Sequence, residues 1–166
     1  MRYTNYMMKF ETQEERDNYF MGLAIEQAKR ALEFDETPIG AVVAFEDEAI
    51  AEGYNRREID NDPSAHAEFI ALKQASVELG RWRMTGCTVY VTLEPCLMCA
   101  GFMYQARIDR CVYGASDSKG GALGTLYEIN ADERLNHNFE VTSGVRADEC
   151  AALLKEFFAG LRKRKK

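Results

Sequence analysis

The 166-residue sequence predicts an α/β protein, a sheet covered by helices and opening with an antiparallel hairpin. Three observations point there. Helical and strand-like patterns alternate along the chain. Two short apolar runs are separated by only Glu46, Asp47 and Glu48. The length supports one core but not two comfortable ones.

Glu14 to Glu33 reads as the first helix, with Phe20, Leu23, Ala24, Ala28 and Ala31 on one face. "IGAVVAF" and "AIAEGYN" are the hairpin strands. "NDPSAHAEFIALKQASVELG" reads as a second helix, with Asp62 as N-cap, Pro63 at the first helical position and Gly80 as C-terminal cap. "CTVYVTL" is a strand, and Pro95 starts a helix to about Gln105 that carries Cys96 and Cys99 in its first turn. "IDRCVYG" follows as a strand, then an irregular stretch from Asp117 to Asn138 of the length that functional loops have. "FEVT" is a last strand. Ala147 to about Lys163 closes the fold, with Ala147, Ala151, Leu154, Phe158 and Leu161 at helical spacing.

No run approaches the ~18 apolar residues of a membrane helix, and the first residues lack a signal-peptide pattern, so no membrane association and a cytoplasmic address are expected. Five cysteines form an odd set without disulfide-framework spacing. Cys87, Cys111 and Cys150 sit in apolar strands or a helix and read as core residues. The net charge is -6, yet the last five residues are all basic; without them 16 Lys+Arg face 27 Asp+Glu, and the body carries -11. The chain divides into residues 1–13, an extension without an assigned role, one domain over 14–161, and a basic tail over 162–166 that is suited to phosphate contact.

Cys96 and Cys99, three apart at a helix start, share a side and lie near free backbone N–H groups that favour thiolate. Redox and zinc readings both survive that step. His66 and Glu68 supply what a catalytic zinc site adds: His66, Cys96 and Cys99 make three ligands and leave a fourth position open, and a carboxylate beside activated water can shuttle its proton. Residues two apart in mid-helix diverge by ~200°, so His66 and Glu68 can converge only at the helix end. His137 reads as a loop or packing histidine.

"HAE" followed by "PCLMC" matches the zinc nucleobase deaminase signature H-x-E…P-C-x-x-C, a known pattern recognised as such. Within that superfamily the chain resembles the bacterial-type tRNA adenosine deaminases from about Tyr19 onward, through "TPIGAVV", "YNRREIDNDPSAHAE", "VTLEPCLMCAGFM", "VYGASDSKGGALGTL", "LNHNFEVTSGV" and "ADECAALLKEFFAGLR". The resemblance implies a three-layer α/β/α fold of cytidine deaminase type around a mixed five-stranded sheet. It also implies one Zn2+ per subunit on His66, Cys96 and Cys99, Glu68 as proton shuttle, and a homodimer. The implied substrate is the wobble adenosine of an arginine tRNA anticodon loop, converted to inosine. Asn55 would contact the flipped adenine, Glu36, Thr37 and Pro38 would line its pocket, and backbone groups at Ala67 and around Glu94 would bind water or base. Asp117 and Lys119 would lie near the anticodon backbone. Thr37, Leu123 and Asn138 depart from the residues usual in the family at those positions.

Two rivals use the same residues: a small-molecule deaminase of guanine, cytosine or a nucleoside, and a non-catalytic zinc-stabilised interaction module. Glu68 separates the second, because a structural zinc site has no use for a carboxylate at an open position. The freer of Phe157 and Phe158 could stack a loop base.

Overall fold

The computed structural model describes residues 9–166, so the first eight residues of the leading extension lie outside it. Helix α1 (Gln13–Leu32) is capped by Thr12, whose side chain accepts the Glu15 N–H. The hairpin strands are β1 (Gly40–Phe45) and β2 (Glu48–Tyr54), followed by α2 (Ala67–Leu79), β3 (Thr88–Leu93), α3 (Leu97–Ala106) and β4 (Arg110–Ala115). A short 3-10 turn, Ile129–Ala131, interrupts the long loop before β5 (Glu140–Thr142) and α4 (Ala147–Arg164).

The five strands lie in the order β2-β1-β3-β4-β5; β1 is antiparallel to β2 and β3, and β4 is parallel to β3 and β5. It follows that β2, β3 and β4 all run one way, and their C-terminal ends share an edge with the entrance to β1. On one face α1 and α4 cover a core of Phe20, Met21, Ile25, Val42, Tyr90 and Val112; on the other α2 and α3 cover Val43, Leu72, Val89, Met103 and Ile108. These are the three layers expected. Cys87, Cys111 and Cys150 are all buried in them.

Two expectations are corrected. Asp62 does not cap α2: its carboxylate accepts the Ser64 N–H and hydroxyl, closing a local turn over Pro63, and the helix begins four residues after Pro63, with His66 as N-cap. Gly80 does end it, in the left-handed conformation. On α4 the inward face is carried by Cys150 and Leu153, whereas Ala151 and Phe158 are exposed. The inward face is offset from the Ala147, Ala151, Leu154, Phe158 and Leu161 spacing because α4 lies along β4, where Gly114 leaves room for Cys150: a Cβ on Gly114 would collide with that sulfur.

Candidate functional site

The shared edge of β2, β3 and β4 is where the predicted residues converge, because α2 and α3 start there. Gly53 on β2 lets α2 descend onto the sheet: a Cβ would stand 2.7 Å from the Ala67 carbonyl oxygen and 3.1 Å from the Ala71 nitrogen. His66 keeps an extended backbone, φ −82° and ψ 150°, and Glu68 lies in the first helical turn. The mid-helix divergence therefore does not apply, and both side chains reach the same cleft. Cys96 is the extended N-cap of α3, and Cys99 stands three residues on, inside the first turn.

His66 Nδ1 lies 3.7 Å from Cys96 Sγ and 3.5 Å from Cys99 Sγ. Tetrahedral coordination with Zn–N near 2.0–2.1 Å and Zn–S near 2.3 Å puts ligand atoms about 3.6 Å apart, so the three donors have the spacing zinc requires. All three ligand atoms fall within 4.8 Å of one another. Electrostatics agree. A hydrogen bond with Cys99, together with His66 and the Cys99 backbone N–H, brings Cys96 down to about 3 despite its burial. The Cys96 hydrogen bond and burial push Cys99 well above the ordinary thiol range, so both sulfurs can be thiolates only with a cation between them. The donor set fits zinc.

Glu68 is buried, and desolvation pushes its carboxyl up to about 7, against the lowering effect of its backbone N–H and His66. A carboxyl balanced near neutrality can both take and return a proton.

The cleft around these groups is about 240 Å³ and is lined also by Thr37, Ile39, Asn55, Arg57, Ala67, Leu93, Glu94, Asp117 and Phe158. Asn55 is held from two sides: its Nδ2 donates to Glu36 Oε2 and to the Thr37 carbonyl, both at 3.3 Å, and its Oδ1 accepts the Arg57 N–H at 3.2 Å. This leaves a lone pair of Oδ1 for a donor on a base.

Glu36 does not line the cleft. It lies behind Asn55, buried, and its other oxygen accepts the Ile59 N–H at 2.7 Å. Pro38 is likewise buried outside the lining. Asp117 is at the rim, its Oδ1 closing a turn with the Lys119 and Gly120 amides, while the Lys119 side chain is exposed and outside the cleft. The Glu94 backbone N–H is engaged by the Ala115 carbonyl.

The Glu94 side chain has a role that sequence reading did not find. Buried at the end of β3, its carboxylate accepts the N–H groups of Asp117, Leu123 and Thr125 and the Thr125 hydroxyl, which folds the long loop back over the site. No local pattern advertises acceptors for amides twenty to thirty residues away. Leu123 is buried beside it, and Asn138 is exposed and donates to the Asp132 carbonyl. His137 bonds the Ile108 carbonyl oxygen and packs, as read. Of the two phenylalanines, Phe158 is the freer and is the one that reaches the cleft.

Residues 14–115 match the family described as the cytidine and deoxycytidylate deaminase zinc-binding region. A Bacillus subtilis protein named tRNA-specific adenosine deaminase is 48% identical over 151 residues, covering 91% of this chain and 94% of its own length. A solved structure from a study of A-to-I editing by tRNA:A34 deaminases at the wobble position of transfer RNA is 43% identical. It superposes with a TM-score of 0.79, over 82% of this chain and 99% of its own. A guanine deaminase from Nitrosomonas europaea is 28% identical with a TM-score of 0.71, over 90% of this chain and 86% of its own.

Proposed function

This chain belongs to the cytidine and deoxycytidylate deaminase family, and on that premise we propose that it hydrolytically deaminates the wobble adenosine of a tRNA anticodon loop to inosine. The observation that carries the substrate is the similarity of nearly the whole chain to tRNA adenosine deaminases at 43–48% identity, against 28% for the Nitrosomonas europaea guanine deaminase and 33%, over only 68% of this chain, for one from Bacillus subtilis.

His66, Cys96 and Cys99 would hold zinc, which when bound is a Lewis acid that makes water nucleophilic near neutral pH. Glu68 takes one proton of the attacking water and delivers it to the ring nitrogen; it then takes the proton of the newly added hydroxyl and delivers it to the amino group, which leaves as ammonia as the carbonyl of inosine forms. Its burial raises the carboxyl toward neutrality, the direction both transfers need. Asn55, fixed by Glu36 and Arg57, orients the base edge, and Ala67 presents a first-turn amide of α2 to the reacting end. Thr37, Ile39 and Phe158 supply the walls, so an unpaired loop base can enter edge-on and be flipped from its stack.

The same reading gives a homodimer and a cytoplasmic address. Among the described residues no helix is long and apolar enough to cross a membrane. The α2/α3 layer exposes Leu97 and Met98 beside the zinc ligands, and Val77 and Trp82 at its other end, apolar side chains that a second copy would cover. Sedimentation showing only monomer at micromolar concentration would remove the dimer.

The experiment presents the zinc-loaded protein with an arginine anticodon stem-loop bearing wobble adenosine and, separately, with guanine, cytosine and cytidine. Inosine in the RNA and no turnover of the small molecules is expected. Rapid guanine turnover without inosine would reject the reading in favour of the small-molecule rival.

A further inference from the structure

A group of side chains beside the cleft takes no part in the chemistry above. Phe34, between α1 and β1, is 50% exposed and lies parallel to the Tyr54 ring, with centroids 5.9 Å apart and planes at 7°. The guanidinium carbons of Arg30 and Arg56 stand 5.2 Å and 5.5 Å from the Tyr54 ring centre, and Arg56 donates to the Tyr54 hydroxyl at 2.8 Å. Tyr54, Arg30 and Arg56 also border an open groove along the free edge of β2, where α1 and α2 contribute Gln27 and Gln74.

The basic end of the chain comes to the same place. Arg164 on α4 makes two hydrogen bonds, 2.9 Å and 2.8 Å, to Asp35, the residue after Phe34. Arg162, Lys163, Lys165 and Lys166 are exposed beside it. An aromatic pair and a set of cations thus share one patch on a protein whose body is strongly acidic.

The patch adjoins the cleft through the backbone. Thr37, three residues after Phe34, and Asn55, directly after Tyr54, both line the cleft. Three peptide units span at most ~11 Å between Cα atoms. A flat ring half open to solvent, backed by a second ring and flanked by Arg30 and the exposed basic end of α4, with Arg56 oriented by its ion pair to Asp60, is an arrangement that receives an unpaired base and its phosphates. An apolar protein segment would gain nothing from the arginines.

We propose that Phe34 and Tyr54 form a stacking platform for an unpaired RNA base neighbouring the one held in the cleft, with Arg30, Arg56 and the end of α4 meeting the adjacent phosphates. The proposal rests on the RNA-substrate reading above. It places on the protein a second nucleotide site, one that acts in binding and not in the chemical step.

The test measures binding of a labelled anticodon stem-loop to the zinc-loaded protein across a salt series, together with conversion of its wobble adenosine. Phe34→Ala should weaken binding and raise KM about tenfold, in the range of one lost base–aromatic stack, with kcat at saturating RNA within about twofold. Phe34→Trp should restore affinity. Arg30→Gln with Arg56→Gln should flatten the slope of log Kd against log salt by roughly 1, as one or two lost phosphate contacts require. A stem-loop made abasic on both sides of the target should bind Phe34→Ala and wild type alike. Phe34→Ala binding the intact stem-loop within twofold of wild type overturns the platform, as does an equal loss on the abasic RNA. Wild type that binds the stem-loop without converting it rejects the deamination reading instead, and the Phe34→Ala comparison still decides the platform.

Discussion

Glu94→Gln changes one atom and should detach the loop that roofs the site. In the wild type Oε1 accepts the Asp117 N–H and the Thr125 hydroxyl, while Oε2 accepts the N–H groups of Leu123 and Thr125 at 3.2 Å and 3.1 Å. A glutamine keeps one accepting oxygen and sets an NH2 against the remaining two donors. It has no room to retreat, because Gly121 already lies so close that a Cβ there would overlap the carboxylate. Losing two hydrogen bonds to a charged acceptor, at roughly 1.5–3 kcal/mol each, costs about 3–6 kcal/mol. That is comparable to a domain's total stability of ~5–15 kcal/mol, but local opening relieves it at lower cost than global unfolding. The assay is amide hydrogen exchange: Leu123 and Thr125 should exchange about a hundredfold faster or more while Val89 and Val112 in the sheet stay protected. Unchanged protection at Leu123 and Thr125 would refute the claim that Glu94 anchors the loop.

Other expectations concern the scaffold and the positioning groups. Asp17 is buried beneath α1, which alone would raise its carboxyl, but hydrogen bonds from Arg110 and the Tyr90 hydroxyl hold it below its ordinary value. Because the folded pKa is the lower one, the pair's contribution is complete above the unfolded value of ~3.9 and fades as pH falls through the folded value. Asp17→Asn should cost ~3–5 kcal/mol at pH 7 by denaturant titration, with the gap narrowing only below about pH 4; a gap closing between pH 5 and 7 would contradict it. Gly114→Ala should destabilise by ~1–3 kcal/mol through overlap with the Cys150 sulfur, and adding Cys150→Ala should recover part of that loss in a double-mutant cycle. Glu36→Ala should leave zinc content unchanged and lower deamination at least tenfold by freeing Asn55; a normal kcat/KM would show that Asn55 does not need its carboxylate anchor.

Much of this fold was legible because its signals are local. The apolar stripe of α1, the hairpin turn, which holds Glu46 and Asp47 while the expected third residue, Glu48, already pairs with Phe45, Gly80 as a helix end and Pro95 ahead of the cysteine helix each carry their meaning within a few residues. Asp62 misled for the same reason: Asp-Pro-Ser satisfies the rule for a helix start, and only the need to deliver His66 extended into the cleft moves the start to Ala67. The zinc set was legible by recognition of a motif, and its 3.5–3.7 Å spacing is a tertiary result of β2 and β3 running parallel. The anchoring roles of Glu36 and Glu94 were not legible at all. Each accepts from backbone amides 23 to 31 residues away, and such pairings leave no periodicity in the chain.

The central claim is that a zinc centre held by His66, Cys96 and Cys99 works through the Glu68 carboxylate on an RNA adenosine. One measurement tests it most directly: inosine formed at the wobble position of the stem-loop by wild type and by Glu68→Gln, each with its zinc content determined on the same sample. The account predicts about one zinc per chain in both proteins, inosine from wild type, and at least a hundredfold slower inosine formation from Glu68→Gln. Glu68→Gln that retains zinc and deaminates at the wild-type rate would contradict it.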